Sequence, residues 1–163
     1  MSKVHVNQPG QGQSVAVVGD VYRFLATSEQ TGGRYAIWEA LVPPGGGPPP
    51  HVHSRENEGF FMLAGEMTFR AEDEVIRATA GTFINIPIGV RHSFKNESTV
   101  PARMLILVTP GGLDAMFLET GVPVANGTTT APPVSHEEIE RLSAVAPKYG
   151  ITIFPPEPPA EAH

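Results

Sequence analysis

The sequence predicts an all-β barrel. Three observations carry that expectation. Glycine and proline, 17 each in 163 residues, fall between short apolar runs. Those runs are rich in β-branched and aromatic residues, the types that suit a pleated, half-buried surface. From residue 58 to 108 they recur at short, regular spacing, which marks a sandwich or barrel. The length suits one domain with a real core and is too short for two full ones. The expected division is a barrel core over about residues 14–110, a C-terminal helical extension over 113–150, and a mobile tail over 155–163.

Taken in order, residues 1–13 read as an irregular arm with a turn at Pro9-Gly10. Residues 15–18 are a short apolar run ended by Gly19-Asp20. Strand-type runs follow at 21–25 and 34–42, the second closed by Pro43-Pro44. Between 58 and 108 the runs are 59–64, 67–70, 75–78, 82–86, 90–95 and 103–108, separated by glycine, proline or acidic turns. Asp114 reads as the cap of a short helix that stops at Gly121. Residues 122–133 read as a loop. Ser135 and Glu138 form a capping-box pattern ahead of Ile139, Leu142, Val145 and Tyr149 at helical spacing, with Gly150 as the stop. Residues 151–154 suit a short strand or docked segment. Whether the C-terminal helix covers the barrel end or meets a partner is open at this level.

Bulk composition excludes several function classes. A formal net charge of −6 with no basic patch argues against nucleic acid. No segment reaches the apolar length of a membrane span, and the N-terminus lacks the apolar core of a signal peptide. With no cysteine, disulfides and thiolate metal sites are impossible. The expected setting is the cytoplasm, with no membrane partner.

The chemistry concentrates in residues 45–96, which hold His51, His53 and His92, three of six histidines. Side chains at i and i+2 of a strand share a face about 7 Å apart along the backbone, so His51 and His53 point the same way. A turn through 54–57 must precede Glu58, which then shares its face with Phe60 and Met62. His92 lies on a later strand and shares its face with Phe94. Closing a barrel can bring the four polar side chains to one interior point. Three imidazoles and a carboxylate suit one divalent transition ion, among Fe, Mn, Co, Ni, Cu and Zn. Four protein ligands leave positions open, which marks a catalytic site more than a structural one. His5, His136 and His163 are assigned to surface or tail, and Glu56, a rival carboxylate, to the polar turn.

Gly45, His51, His53, Glu58 and Gly65 match G-x5-H-x-H-x4-E-x6-G, and Gly81, Pro87, Gly89, His92 and Asn96 match G-x5-P-x-G-x2-H-x3-N, at every fixed position. These are the two signature motifs of the cupin superfamily, which the chain strongly resembles. The resemblance implies a double-stranded β-helix, or jelly roll, with His51, His53, Glu58 and His92 as metal ligands. It also implies turn roles for Gly65, Gly81 and Gly89, a structural role for Asn96, and a homodimer, for which apolar residues outside the core such as 15–18 are available.

More loosely, residues 48–56, 109–119 and 147–151 resemble small single-domain cupins akin to quercetin 2,3-dioxygenase. That resemblance implies a small-molecule substrate and O2, with Glu58 both ligating the metal and taking the proton of a flavonol hydroxyl before oxidative ring cleavage releases carbon monoxide. The alternative is a metal- or ligand-binding cupin without turnover. Phe60, Met62 and Phe94 are the pocket residues that strand parity assigns to the metal face. A wider set, Tyr35, Trp38, Phe69, Met104 and Phe117, can line an apolar pocket, with more than half of the aromatic and sulfur-bearing residues serving simply as core.

Overall fold

The computed structural model describes residues 3–156. Two antiparallel sheets face each other. The larger runs β11 (Val122–Val124), β1 (Ser14–Val17), β2 (Asp20–Ala26), β3 (Ala36–Val42), β10 (Ala102–Thr109), β5 (Asn57–Ala64) and β8 (Phe83–Ile86). The smaller runs β12 (Ile151–Ile153), β4 (His51–His53), β9 (His92–Lys95), β6 (Glu66–Ala71) and β7 (Glu74–Thr79). Two helices, α1 (Leu113–Thr120) and α2 (His136–Val145), follow the main strands, and a 3-10 turn over Ala146–Tyr149 leads into β12. Among the described residues no helix is long and apolar enough to cross a membrane.

Alternation places the core. On β3, Ala36, Trp38, Ala40 and Val42 are buried while the residues between them are half-exposed, and β10 repeats this with Ala102, Met104, Ile106 and Val108. From β5, Phe60 and Met62 meet Met67 and Phe69 of β6 and Phe94 of β9 in the same core. The Phe60 ring lies edge-on to Phe69 and Phe94, with centroids 4.9 and 5.7 Å away. Burying an aromatic of this kind is worth about 1.5–3 kcal/mol, so this cluster is a main source of cohesion between the sheets.

The barrel reaches past residue 110, because β11 pairs with β1 and β12 pairs with β4. Residues 122–133, expected to be loop throughout, thus include a strand. Pro123 hid it: proline is tolerated there because β11 is an edge strand. Asp114 is not the cap of α1, which starts after Gly112. Its buried carboxylate instead accepts from Ser28 N and Oγ at 2.8 and 3.0 Å and from Gly112 N at 3.1 Å. Only half of the capping box forms. Ser135 Oγ accepts from Glu138 N, but the Glu138 carboxylate reaches away to Val18 N at 2.7 Å. Residues 15–17 are buried inside this chain against β2 and β11, so they offer no surface for a second copy. The tail from residue 157, with His163, lies outside the described residues.

Candidate metal centre and its pocket

The two motifs are tied together before any side chain meets a metal. Gly45 N donates to Asn96 O and Asn96 N to Gly46 O, at 2.7 and 2.9 Å. The fully buried Asn96 amide donates to Val42 O and Val100 O. Gly47, at φ +133°, passes so close to β9 that a Cβ would stand 2.0 Å from Phe94 O. Only glycine fits there. These contacts deliver the chain into β4 directly beside β9, where His51 and His92 are paired across the strands.

Three imidazoles therefore come from the smaller sheet, two from β4 and one from β9, while Glu58 comes from β5 of the larger sheet. One donor atom from each of the four residues lies within 4.8 Å of all the others. The cluster is compatible with a single metal ion. His53 Nε2 and His92 Nε2 converge on the same oxygen, Glu58 Oε2, at 3.0 and 2.9 Å. His51 Nδ1 and His92 Nδ1 each bind a backbone carbonyl, Pro49 O at 2.9 Å and Val90 O at 3.0 Å. A carbonyl accepts only from N–H, so these contacts hold the proton on Nδ1 and turn Nε2 inward, as metal-ligating histidine requires.

His53 is held differently. Its ring nitrogens are buried without an aligned hydrogen bond, and its Nδ1 lies 3.5 Å from Glu56 Oε2. Glu56 is buried, although its backbone lies in the turn where a solvated side chain was expected. It stands behind His53, outside the four-residue cluster, where an outer carboxylate orients a metal ligand.

Electrostatics agree with a cation site. Burial alone would lower the His53 pKa, but Glu58 outweighs it, with help from Glu56, and raises it to about 9. Burial alone would raise the Glu58 pKa, but the charge of the neighbouring His53, with His92 close by, holds it well below the usual carboxylate range. Burial, reinforced by His92, lowers His51 to about 4, leaving it neutral.

The cluster opens on a cavity of about 140 Å³. Its walls are apolar: Val17 and Val18, Ile106, residues of α1 including Met116 and Phe117, Ile139 and Leu142 of α2, and Ile151 and Ile153 of β12. The C-terminal helix therefore covers this end of the barrel. Of the pocket residues expected from parity, Phe94 borders the cavity, but Phe60 and Met62 do not. Each two-residue step advances nearly 7 Å along β5, which carries them from Glu58 into the core between the sheets. Trp38 and Phe117 border the cavity, whereas Tyr35 is exposed on another surface. His5 and His136 are exposed, as expected.

Sequence reasoning missed Asp20 and Tyr22, buried residues of β2 on the cavity wall. An acid at i and a tyrosine at i+2, opening an apolar strand, was the available signal. It also missed the buried Glu56; the E-x-E spacing with Glu58 was the clue there.

A family model described as "Cupin domain" matches residues 38–108. The chain is 25% identical over 119 residues to quercetin 2,3-dioxygenase of Bacillus subtilis, covering 73% of this chain but only 35% of that enzyme. It thus spans about a third of that curated relative. Among solved structures, an RmlC-like cupin from Shewanella frigidimarina superposes with TM-score 0.60 at 16% identity, over 71% of this chain and 99% of the other. A predicted oxalate decarboxylase from Thermotoga maritima gives 0.58 at 19%, over 66% and 99%. At these identities the structures attest the fold alone. Paired sheets, motif spacing and family model agree: the chain carries a cupin domain over residues 38–108, with distant similarity to quercetin 2,3-dioxygenase of Bacillus subtilis.

Proposed function

We propose that this protein is a metal-dependent, quercetinase-like dioxygenase acting on a flavonol or another acidic phenol or enol. The observation that carries the reading is Glu58: an enclosed, anionic carboxylate at the junction of the imidazole cluster and an apolar cavity. The similarity to the Bacillus enzyme points the same way.

When bound, a divalent transition ion supplies Lewis acidity toward an acidic hydroxyl and redox chemistry toward dioxygen. His51, His53 and His92 would hold it with Glu58. The chain's own contribution is positional and protonic. Glu58 stands where it can take the proton of a substrate hydroxyl, general base catalysis typically contributing about 10²–10⁴-fold. The walls from Phe94, Ile106, Met116 and Phe117 orient a flat ring and keep water away from the deprotonated form. The cavity is smaller than the ~300–1,000 Å³ usual for ligand clefts. It suits a single-ring ligand as it stands, and α2 must shift to admit a flavonol.

That enclosure also favours a second reading, a cupin that binds metal and a small ligand without turnover. Oxygen-electrode assays on protein loaded separately with Fe, Mn, Co or Ni, across flavonols and smaller acidic phenols, separate the two. Uptake in any pairing supports the dioxygenase. A flat trace in every pairing, with metal bound, leaves the binding module. For its setting we propose a cytoplasmic homodimer; a monomer mass by light scattering would remove the dimer.

A further inference from the structure

The cavity has a second polar pole that the metal chemistry does not use. Asp20 opens β2 and is 3% exposed, yet its Oδ1 has no hydrogen-bond partner among the described residues. Tyr22, two residues on, shares its strand face and is buried beside the same carboxyl, whose pKa it lowers against the effect of burial. Trp38 of β3 is fully buried and its Nε1 also lacks a partner. All three residues line the cavity that holds His51, His53 and Glu58. A buried polar atom without a partner costs roughly 1–3 kcal/mol, so two on one wall need a reason.

The backbone is shaped around this pole as well. A Cβ on Gly46 would stand 3.0 Å from Asp20 Oδ1, from Pro43 O and from Val42 Cγ1. The loop leading to the first histidine is therefore packed closely against the acid, and a side chain at Gly46 would crowd it. The same loop carries the cavity-lining Gly47, Pro48 and Pro49 into His51, so the two poles are built on one segment.

We infer that Asp20, with Tyr22 beside it and Trp38 next to Tyr22 on the neighbouring strand, is a specificity-determining subsite that binds a hydroxyl or carbonyl on a small acidic enol or phenol whose ionised oxygen lies at the imidazole cluster. This rests on the reading of the cavity as a pocket for an acidic small molecule. The ligand class it defines carries a second polar group besides its acidic one, matching an otherwise apolar cavity lined by both the imidazole cluster and Asp20. Burial pushes the Asp20 carboxyl up to about 8, only partly offset by Tyr22, so at neutral pH the acid is mostly uncharged. A neutral acid both donates and accepts, and does not repel an anionic ligand. Burial, then Asp20 and Glu58, raise the Tyr22 phenol well above its usual value and keep it a donor.

The test uses two single-ring hydroxypyranones with the same metal-binding hydroxyketone. Kojic acid carries a hydroxymethyl group where allomaltol carries a methyl. Calorimetric titration of the cobalt-loaded protein under argon is expected to show kojic acid binding at least about tenfold more tightly, one good hydrogen bond's worth. In Asp20→Ala that preference collapses through loss of kojic acid affinity, with allomaltol unchanged. Asp20→Asn retains part of it. Equal binding of both probes by the wild-type protein overturns the subsite while leaving the acidic-ligand reading intact. Failure of both probes to bind metal-loaded protein overturns that reading and the subsite with it. Thermal unfolding supplies the structural control: removing an unsatisfied acid should leave Tm equal or higher. A clearly lower Tm in both variants assigns Asp20 to the scaffold instead.

Discussion

The cavity's two poles bury comparable chemistry and solve it in opposite ways. At the imidazole pole, Glu58 is matched by His53 and His92 at 3.0 and 2.9 Å, and two histidines are fixed by backbone carbonyls. At the second pole, Asp20 has no ion-pair partner among the described residues, leaves one oxygen unpartnered there, and is pushed toward the neutral form by burial. An ion pair sustains a buried charge; without a counter-charge a carboxyl gives the charge up. The first pole is thus prepared for a cation, and the second for an uncharged hydrogen-bonding group.

The largest way to break this contrast is Glu58→Gln. Oxygen uptake with an active substrate should fall by about 10²–10⁴-fold, while metal analysis still finds ion retained by the three histidines. Unchanged turnover in that variant would remove Glu58 as the base. Next comes Glu56→Gln. Loss of the carboxylate behind His53 should weaken metal binding by about 10–100-fold, measured by competition with a chelator. Equal affinity would make Glu56 a bystander.

A third measurement sharpens the second pole. In the folded chain the Asp20 pKa rises from 3.8 to about 8, so the native state binds a proton that the unfolded chain has released. Stability from this group is therefore present at low pH and lost as pH climbs from near 4 through 8. The slope approaches about 1.4 kcal/mol per pH unit at most. Asp20→Asn should flatten that part of the urea-unfolding profile, and an unaltered slope would place the titration elsewhere.

The smallest effect concerns what closes the cavity. Val18 adopts φ +44°, unfavourable for a β-branched residue, in the two-residue turn between β1 and β2, and its N–H is held by Glu138 of α2. Glu138→Ala should cost about 1–2 kcal/mol and speed amide exchange in α2, with the strands unaffected. Protected α2 amides in the variant would show that packing of Ile139 and Leu142 alone secures the helix.

The legible part of the site was local. His51 and His53 are two apart on one strand, and glycines and prolines at fixed offsets mark the turns that bring in Glu58 and His92. Strand parity also read Phe94 as facing the metal, but it misplaced Phe60 and Met62 relative to the cavity. Parity fixes which face a side chain takes, not its depth along the barrel. Asp114 misled for a related reason. An acid near a helix start resembles a cap, and only the return of the 27–33 turn beside it shows that it binds Ser28.

By itself the sequence determined the all-β class, the turn glycines, and the identity of the four clustered side chains. Each of these depends on short-range spacing and backbone sterics. Tertiary structure alone decided that Glu56 is buried behind His53, that β11 and β12 complete the sheets, that α2 roofs the cavity, and that Asp20 lines it without an ion-pair partner among the described residues. Those outcomes depend on which distant segments come to lie against each other, and burial, which sets both the cost of a charge and its pKa, exists only once they do.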